Sequence, residues 1–473
     1  MLTDLNINAP PTAQTFDVCV VGSGPAGISL SLELAKKGKR VALCEAGGFE
    51  LSEESQGCYS GETVGDPYFD LMATRLRYLG GTSGHWAGWC HTLEEVDFRR
   101  KDRINPLAHW PISKSDLDPY LAPACTILDI KPPRATRHLS TKQGIQEVYF
   151  SFSPPTRFGT KYRKTLTDSK NIALFVNANL TDVKVSGGQV VNATFQSYTG
   201  KKLDIVAGKY VFAMGGIENS RQLLWHNSRN NGQLYAKGAP VGRYWMEHPH
   251  FTIGAALVDF GLPGKRRFFS LTPQKQAELG VLNCGLRFEP LSPSAAKRLV
   301  KDLMCVAPAV GSWASELMGE NLVCGVKLRA AWEQGPRLEN GITLSTKSRD
   351  RFGIPSTVLT WRKSPLERRT LTATTGQFNE WLMARKLGRL KLDDWVLGRG
   401  DYPKDDELAG HHHMGGARMS DSPTTGVVDR NLKVYGSKNL YVAGAAVFAS
   451  GGHSNPTLPI VQLSLRLANH LTA

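Results

Sequence analysis

The chain opens polar and turns apolar from residue 16. "FDVCVV" (16–21) is a nearly continuous apolar run, as in strands whose two faces are both covered by a parallel sheet's helices. It breaks at "GSGPAG" and gives way to Ile28, Leu30, Leu32, Leu34 and Ala35, a broad apolar helix face that Lys36, Lys37 and Gly38 close. "RVALCE" (40–45) reads as a second strand ending on an acid. Residues 1–15 show no such pattern and are expected to be a flexible lead-in.

Beyond this unit the pattern changes. Residues 49–160 are rich in loops, prolines, tryptophans and glycines; a stretch that keeps its aromatics is expected to wrap a ligand. "NIALFVNANLTDVKVSGGQVVNATFQ" (171–196) alternates like antiparallel strands, and "KYVFAMGGIENSRQLLWH" (209–226) reads strand, Gly-Gly turn, helix. From about 245 to 400 strand-like segments dominate: "HFTIGAALVDF", "NGITLSTKSRD" and "PSTVLTW", with the helical "PLERRTLTATTGQFNEWLMARKL" between them and the end. Strand and helix return in "NLYVAGAAVF" and "NPTLPIVQLSLRLANHL". No repeat of 20–50 residues is visible, which argues against a solenoid or propeller.

Rossmann-like pieces at the start, middle and end imply an α/β fold, α+β overall. One nucleotide-binding domain is expected from residues 1–245 and 400–473, with the loop-rich wrap inside it. A substrate domain with a mostly antiparallel sheet is expected from 246–399.

Composition narrows the class. With 473 residues, 41% apolar and 21% charged, the chain can bury a large core in more than one domain. No apolar run spans a bilayer, and the N-terminus lacks the basic and apolar regions of a secretory signal, so the expected address is the cytoplasm. The net charge of +15 includes "RRKDR" (99–103) and "GKRR" (264–267), read as solvated basic surface because no nucleic-acid motif accompanies them. Eight cysteines without a CxxC spacing suggest reduced thiols and no zinc site.

The chemistry begins at Gly22-Ser-Gly24-Pro-Ala-Gly27, between a strand and a helix, with Glu45 21 residues beyond Gly24. The first glycine allows the turn, the second lets backbone approach a pyrophosphate, and the third lets helix and strand pack closely. The helix N-terminus offers free N–H groups to the phosphates, and Glu45 can accept from ribose hydroxyls. A fingerprint near the start, with a far strand ending in Ala443-Gly444, favours a chain that envelops FAD over one that binds NAD in an open crevice.

"GGHSNPTLP" (451–459) sets His453 and Asn455 before a helix start, with Asn455 a natural N-cap and the start ambiguous between Pro456 and Pro459. The positive end of that helix would favour a reduced flavin. An imidazole suits removal of a hydroxyl proton, and an amide can orient the same hydroxyl. The spacing alone equally allows Asn455 only to cap and His453 to be a bystander. "GHHHMGGARM" (410–419) has three adjacent histidines that cannot all face one metal, and is read as a loop beside the cofactor; no metal is expected. "MEHPH" (246–250) is read as a domain hinge.

"VVGSGPAGISLSLELA", "RYLGGTSGHWAGW", "WPISKSDLDPYLAPA", "VFAMGGIENSRQLL", "GHHHMGGARM" and "NLYVAGAAVFASGGHSNPTLPIVQLSLRLA" together resemble the glucose–methanol–choline (GMC) oxidoreductases, in the bacterial branch near pyranose oxidases and sugar dehydrogenases. Between about 250 and 400 the likeness rests on "EQGPRLENGITLS" (333–345) alone. The resemblance implies FAD, oxidation of a sugar, glycoside or polyol hydroxyl, hydride transfer to flavin N5, and reoxidation by oxygen, a quinone or a redox protein. It makes His453 the base and Asn455 its partner.

It further implies that Ala26, Ala46, Gly81, Thr82, Ala87, Ala213, Gly215, Gly444, Ala445, Pro456 and Thr457 join the cofactor wall, with the backbone of Asn179 and Leu180 at the adenine. His85 matches a histidine that is covalently linked to the flavin in pyranose oxidases; the alternative is that His85 and Trp86 pack on the ring without a bond, the glycines of 80–89 wrapping its edge. A third reading leaves Trp86 and Trp89 as core aromatics. An oligomer is compatible with all of this. Competing functions are tailoring of a bulky glycosylated natural product, and a non-redox lyase or isomerase that keeps its flavin.

Overall fold

A computed structural model describes all residues except 11–13, 100–103, 259–265, 290–298, 301–302, 304–305, 319–324 and 404–408. Much of "RRKDR" and the start of "GKRR", with Cys305 and Cys324, lie outside the described residues; the other six cysteines are buried and free.

The first sheet has eight strands drawn from both ends of the chain. Its parallel part runs β1 (Leu2–Asp4), β9 (Ile172–Val176), β3 (Val41–Cys44), β2 (Gln14–Val21), β12 (Lys202–Phe212), with β20 (Leu440–Val442) paired to the end of β12. β11 (Gln189–Gln196) and β10 (Asn179–Ser186) continue from β12 as an antiparallel hairpin. Two expectations change here. The lead-in is not loose over its described start, residues 11–13 lying outside the described residues: β1 pairs with β9, Leu5 is fully buried, and the terminal amine donates to the carbonyls of Ser169 and Ile172. The segment 171–196 is not antiparallel throughout, because Ile172–Val176 is buried at every position and sits between parallel neighbours.

The helices Pro25–Lys36 and Thr457–Thr472 pack together on this sheet, and their buried leucines and alanines belong to one core with its strands. Fully burying a leucine is worth about 1.5–3 kcal/mol, so this core holds the distant segments in register.

The second sheet has seven strands, all antiparallel: β19 (Gly388–Leu392), β13 (His250–Val258), β16 (Val326–Trp332), β15 (Cys284–Phe288), β14 (Arg267–Leu271), β7 (Ile145–Val148) and β6 (Arg137–Ser140). Its last two strands come from within the loop-rich stretch 49–160. The helix Pro365–Ala384 starts on a Ser364/Glu367 capping box and buries Leu371, Phe378, Trp381 and Leu382 with Phe269, Phe288 and Trp332 of the sheet.

A smaller sheet, β17 (Gly341–Arg349), β18 (Pro355–Trp361) and β4 (Gly61–Gly65), ties the wrap to the rest. The strands β5 (Trp89–Cys90) and β8 (Ser151–Phe152) form a two-stranded ribbon. Among the described residues no helix is long and apolar enough to cross a membrane.

Candidate active site

The turn after β2 is built as its glycines suggest. Gly22 adopts φ 102°, and a Cβ on Gly27 would lie 1.9 Å from the Gly22 carbonyl oxygen, so only glycine lets the helix Pro25–Lys36 lie this close. Gly24 differs: it has an ordinary φ of −71°, and a Cβ there would meet no protein atom within 4 Å. The open space beside it is a cavity of about 520 Å³.

That cavity is walled by Gly22, Gly24 and Ala26 of the turn, Glu45 and Ala46 after β3, and Gly81, Thr82, His85, Trp86 and Ala87. Leu180, Ala213, Gly215, Gly444, Ala445, Asn455, Pro456 and Thr457 complete the expected wall. Gly27 sits behind it. Asn179 turns its side chain away to accept a 2.7 Å bond from Arg77, while Ala178 and Leu180 face the space. The buried Glu45 carboxylate accepts from Ser23 N–H (2.9 Å), Ser23 O–H (2.6 Å) and Gly47 N–H (2.9 Å), which fixes it at the end of β3. Thr74, Arg75 and Tyr59 also line the cavity, and no motif in the sequence pointed to them; Glu218 and Gln222 line it too, from within "VFAMGGIENSRQLL", which had not singled them out.

Gly80, Gly84 and Gly88 are required by protein contacts, which cofactor approach alone does not explain, whereas Gly81, whose Cβ would come no closer than 3.2 Å to Gly24 Cα, lines the cavity. A Cβ on Gly80 would lie 2.3 Å from Gly159 N, on Gly84 1.7 Å from the Tyr78 hydroxyl, and on Gly88 2.6 Å from the Ser153 carbonyl oxygen. Arg157 pins the loop by donating to the carbonyls of Ser83 (2.9 Å) and Trp86 (2.8 Å), and the Trp86 indole donates to Thr156 O at 2.9 Å. His85 is left exposed on the cavity wall, its pKa lowered by desolvation and then by the Arg157 charge.

A second, narrow cavity of about 30 Å³ adjoins the first. His453, Phe150, Phe268, Gly285, Arg329, Ala330 and Ala331 line it, and Trp89, His250, Arg287 and Asn455 line both cavities. The two spaces therefore meet where the second sheet faces the loop before the last helix. Phe150, Phe268, Arg287 and Arg329 were not found by sequence reasoning, being single residues on strands and loops that carry no motif; Trp89 and His250 lie in quoted motifs but read there as a core aromatic and part of a hinge.

His453 is buried, and neither ring nitrogen has a protein hydrogen-bond partner among the described residues. Burial lowers its pKa, with Glu94 opposing, His91 adding to the depression and Glu333 opposing. The His91 ring stacks beside it with centroids 6.4 Å apart, and its Nδ1 sits 2.7 Å from Thr92 O and 3.2 Å from Ser454 Oγ. A Cβ on Gly285 of β15 would come within 3.0 Å of the His453 ring.

Two further expectations are corrected. Asn455 is not the cap: the last helix begins at Thr457 after Pro456, and the Asn455 amide instead lies 3.2 Å from His412 Nε2. "MEHPH" is not merely a hinge, because His248 reaches His412 and His250 lines both cavities. His411, His412 and His413 all line the large cavity, as a loop beside a cofactor would. The described residues contain no cluster able to hold a metal.

This arrangement agrees with the family comparisons. A family model described as GMC oxidoreductase matches residues 336–464, and one described as FAD binding domain matches 15–59. The chain belongs to the GMC oxidoreductase family. It is an FAD-dependent oxidoreductase acting on CH–OH groups.

Relatives match it nearly end to end. The 2-methyl-1,2-propanediol dehydrogenase of Mycolicibacterium austroafricanum is 22% identical over 98% of this chain and 96% of its own length. The fructose dehydrogenase large subunit of Gluconobacter japonicus is 24% identical over 96% of this chain and 97% of its own. The solved structure of pyridoxine 4-oxidase from Mesorbium loti shares the fold with a TM-score of 0.58 at 15% identity, covering 96% of this chain and 99% of that one. The GMC chain's own residues fit FAD: a glycine-lined turn opens onto free helix N–H groups, a fixed carboxylate follows the second strand, and the cavity between them is large.

Proposed function

We propose that the protein oxidises a primary or secondary hydroxyl of a sugar, glycoside or related polyol to the carbonyl. The observation that carries this reading is His453, a buried imidazole with no partner among the described residues, on the wall of a small cavity that shares Trp89, His250, Arg287 and Asn455 with the large one. A buried polar group of that kind calls for a partner from outside the protein. Kept neutral by burial, His453 is ready to accept the hydroxyl proton. Asn455, on the wall of both cavities, orients the substrate. The aromatic rings of Trp89, Phe150 and Phe268 keep water from the reacting carbon. Sugar and diol names among the relatives support the substrate class.

Bound FAD supplies the hydride acceptor at its N5. In this reading Gly22, Gly24 and the following helix N-terminus hold the pyrophosphate, Glu45 the ribose, and Leu180 the adenine. His85 and Trp86 flank the ring system. The N-terminus of the helix Thr457–Thr472 favours negative charge on the ring. Oxygen, a quinone or a redox protein is the final acceptor.

A panel of sugars, glycosides and polyols, mixed anaerobically with the yellow holoenzyme, tests the proposal: at least one must bleach the flavin and yield its carbonyl product. Turnover without bleaching would support non-redox chemistry instead. Repeating the screen with oxygen alone and with an artificial acceptor separates oxidase from dehydrogenase. Acid precipitation decides His85: colour in the pellet means a covalent bond, colour in the supernatant means packing alone.

A further inference from the structure

Three side chains form a chain of contacts ending at the site. His248 Nδ1 lies 2.8 Å from His412 Nδ1, and His412 Nε2 lies 3.2 Å from the Asn455 side-chain amide. The two imidazoles meet edge on, at 89°. Glu247 locks the geometry: its Oε1 accepts from the backbone N–H of both His248 (2.8 Å) and His412 (2.7 Å), and its Oε2 accepts from Tyr68 O–H at 2.6 Å.

The protons in this chain are countable. Burial holds both rings neutral, His248 at about 3 and His412 well below the usual value, so each carries one N–H and one bare nitrogen. One Nδ1 must donate to the other. The atom of Asn455 that faces His412 Nε2 is the amide nitrogen, which can only donate, so the His412 proton sits on Nδ1 and that of His248 on Nε2, which has no protein partner among the described residues. With His248 protonated at Nε2, its Nδ1 accepts from His412 Nδ1–H. His412 Nε2 is then bare and accepts from the Asn455 NH₂ group. The Asn455 carbonyl oxygen is what remains for the substrate.

The consequence is chemical. The reacting hydroxyl has a single proton, and in the proposed reaction it goes to His453. An acceptor at Asn455 therefore needs its hydrogen from a second hydroxyl, on a carbon next to the one oxidised. We propose that His412, held by His248 and Glu247, is a positioning residue that presents the Asn455 carbonyl to a neighbouring hydroxyl, making the site selective for vicinal diols. This rests on the polyol-oxidising reading above.

The test compares the best polyol of the panel with its analogue deoxygenated beside the oxidised carbon, by anaerobic single-turnover flavin reduction. Wild type should favour the diol by about 10–100-fold, the range for one satisfied against one stranded buried acceptor. Asn455→Ala should bring the ratio near one, and so should His412→Ala with FAD content unchanged. The double variant should be no worse than Asn455→Ala, because both remove one interaction. Should His412→Ala not fold, His248→Asn tests the same chain. Full diol preference in a folded His412 or His248 variant, or additive losses, would overturn the inference while leaving the polyol oxidation standing. A panel in which no polyol bleaches wild type overturns the polyol reading, and the inference with it.

Discussion

Gly24→Ala separates what the glycine turn does for the fold from what it does for the cofactor. The new methyl would meet no protein atom within 4 Å, and φ −71° suits alanine. The apo chain should therefore be unharmed, and gains about 0.4–1 kcal/mol from a less flexible unfolded state. The same methyl stands on the cavity wall where the pyrophosphate is proposed to lie. Overpacking of a fitted site costs about 1–3 kcal/mol, so FAD should bind roughly 5–150-fold more weakly.

Gly27→Ala is the contrast. Its methyl would sit 1.9 Å from the Gly22 carbonyl oxygen, and helix and strand must separate by more than an ångström before FAD is involved at all. The assay is flavin titration of apoprotein beside thermal unfolding without FAD. Gly24→Ala should lose affinity with apo stability equal or slightly raised, and Gly27→Ala should lose both. Wild-type FAD affinity in Gly24→Ala would refute the placement of the pyrophosphate.

Other consequences follow from named contacts. Arg221 is fully buried between Glu218 (2.9 Å) and Asp350 (2.6 Å), so Arg221→Met takes from Asp350 its buried cation and leaves Glu218 only Arg75 at 3.8 Å, and should cost about 3 kcal/mol in denaturant unfolding. Gly285→Ala presses on the His453 ring from 3.0 Å and should slow flavin reduction severalfold with FAD content intact. Stability should fall on acidification from about pH 6.5 towards 4.5. The unfolded chain protonates its histidines near 6.5, whereas folded His226 and His248 titrate at about 3, and His250, His412 and His413 also stay well below the usual value. Folded Glu247 and Glu367, raised to about 7 by burial, take up protons in the same window and offset part of this loss, but five imidazoles outweigh two carboxyls. An unfolding midpoint that rises between pH 6.5 and 4.5 would reverse the sign.

The turn Gly22–Gly27 was legible because one local unit, strand, turn and helix, sets its own geometry. His453 and Asn455 were legible by position, but not their partners. What holds Asn455 is His412, 43 residues away, and what faces His453 is Gly285 of another sheet. Such contacts depend on how β15 and β16 register against the loop before the last helix, which no local period encodes. Gly80, Gly84 and Gly88 were misread for a related reason: close approach was the right inference, but the partners are Gly159, Tyr78 and Ser153. β1 was missed because a three-residue edge strand is too short to show a period.

In the proposed reaction His453 takes the proton as the alcohol is oxidised. Anaerobic stopped-flow reduction of the bound flavin by the best polyol, in wild type and His453→Ala with equal FAD content, tests it most directly. The limiting rate should be at least about 100-fold lower in the variant, within the usual worth of a general base, with substrate affinity little changed. Reduction at the wild-type rate would contradict it.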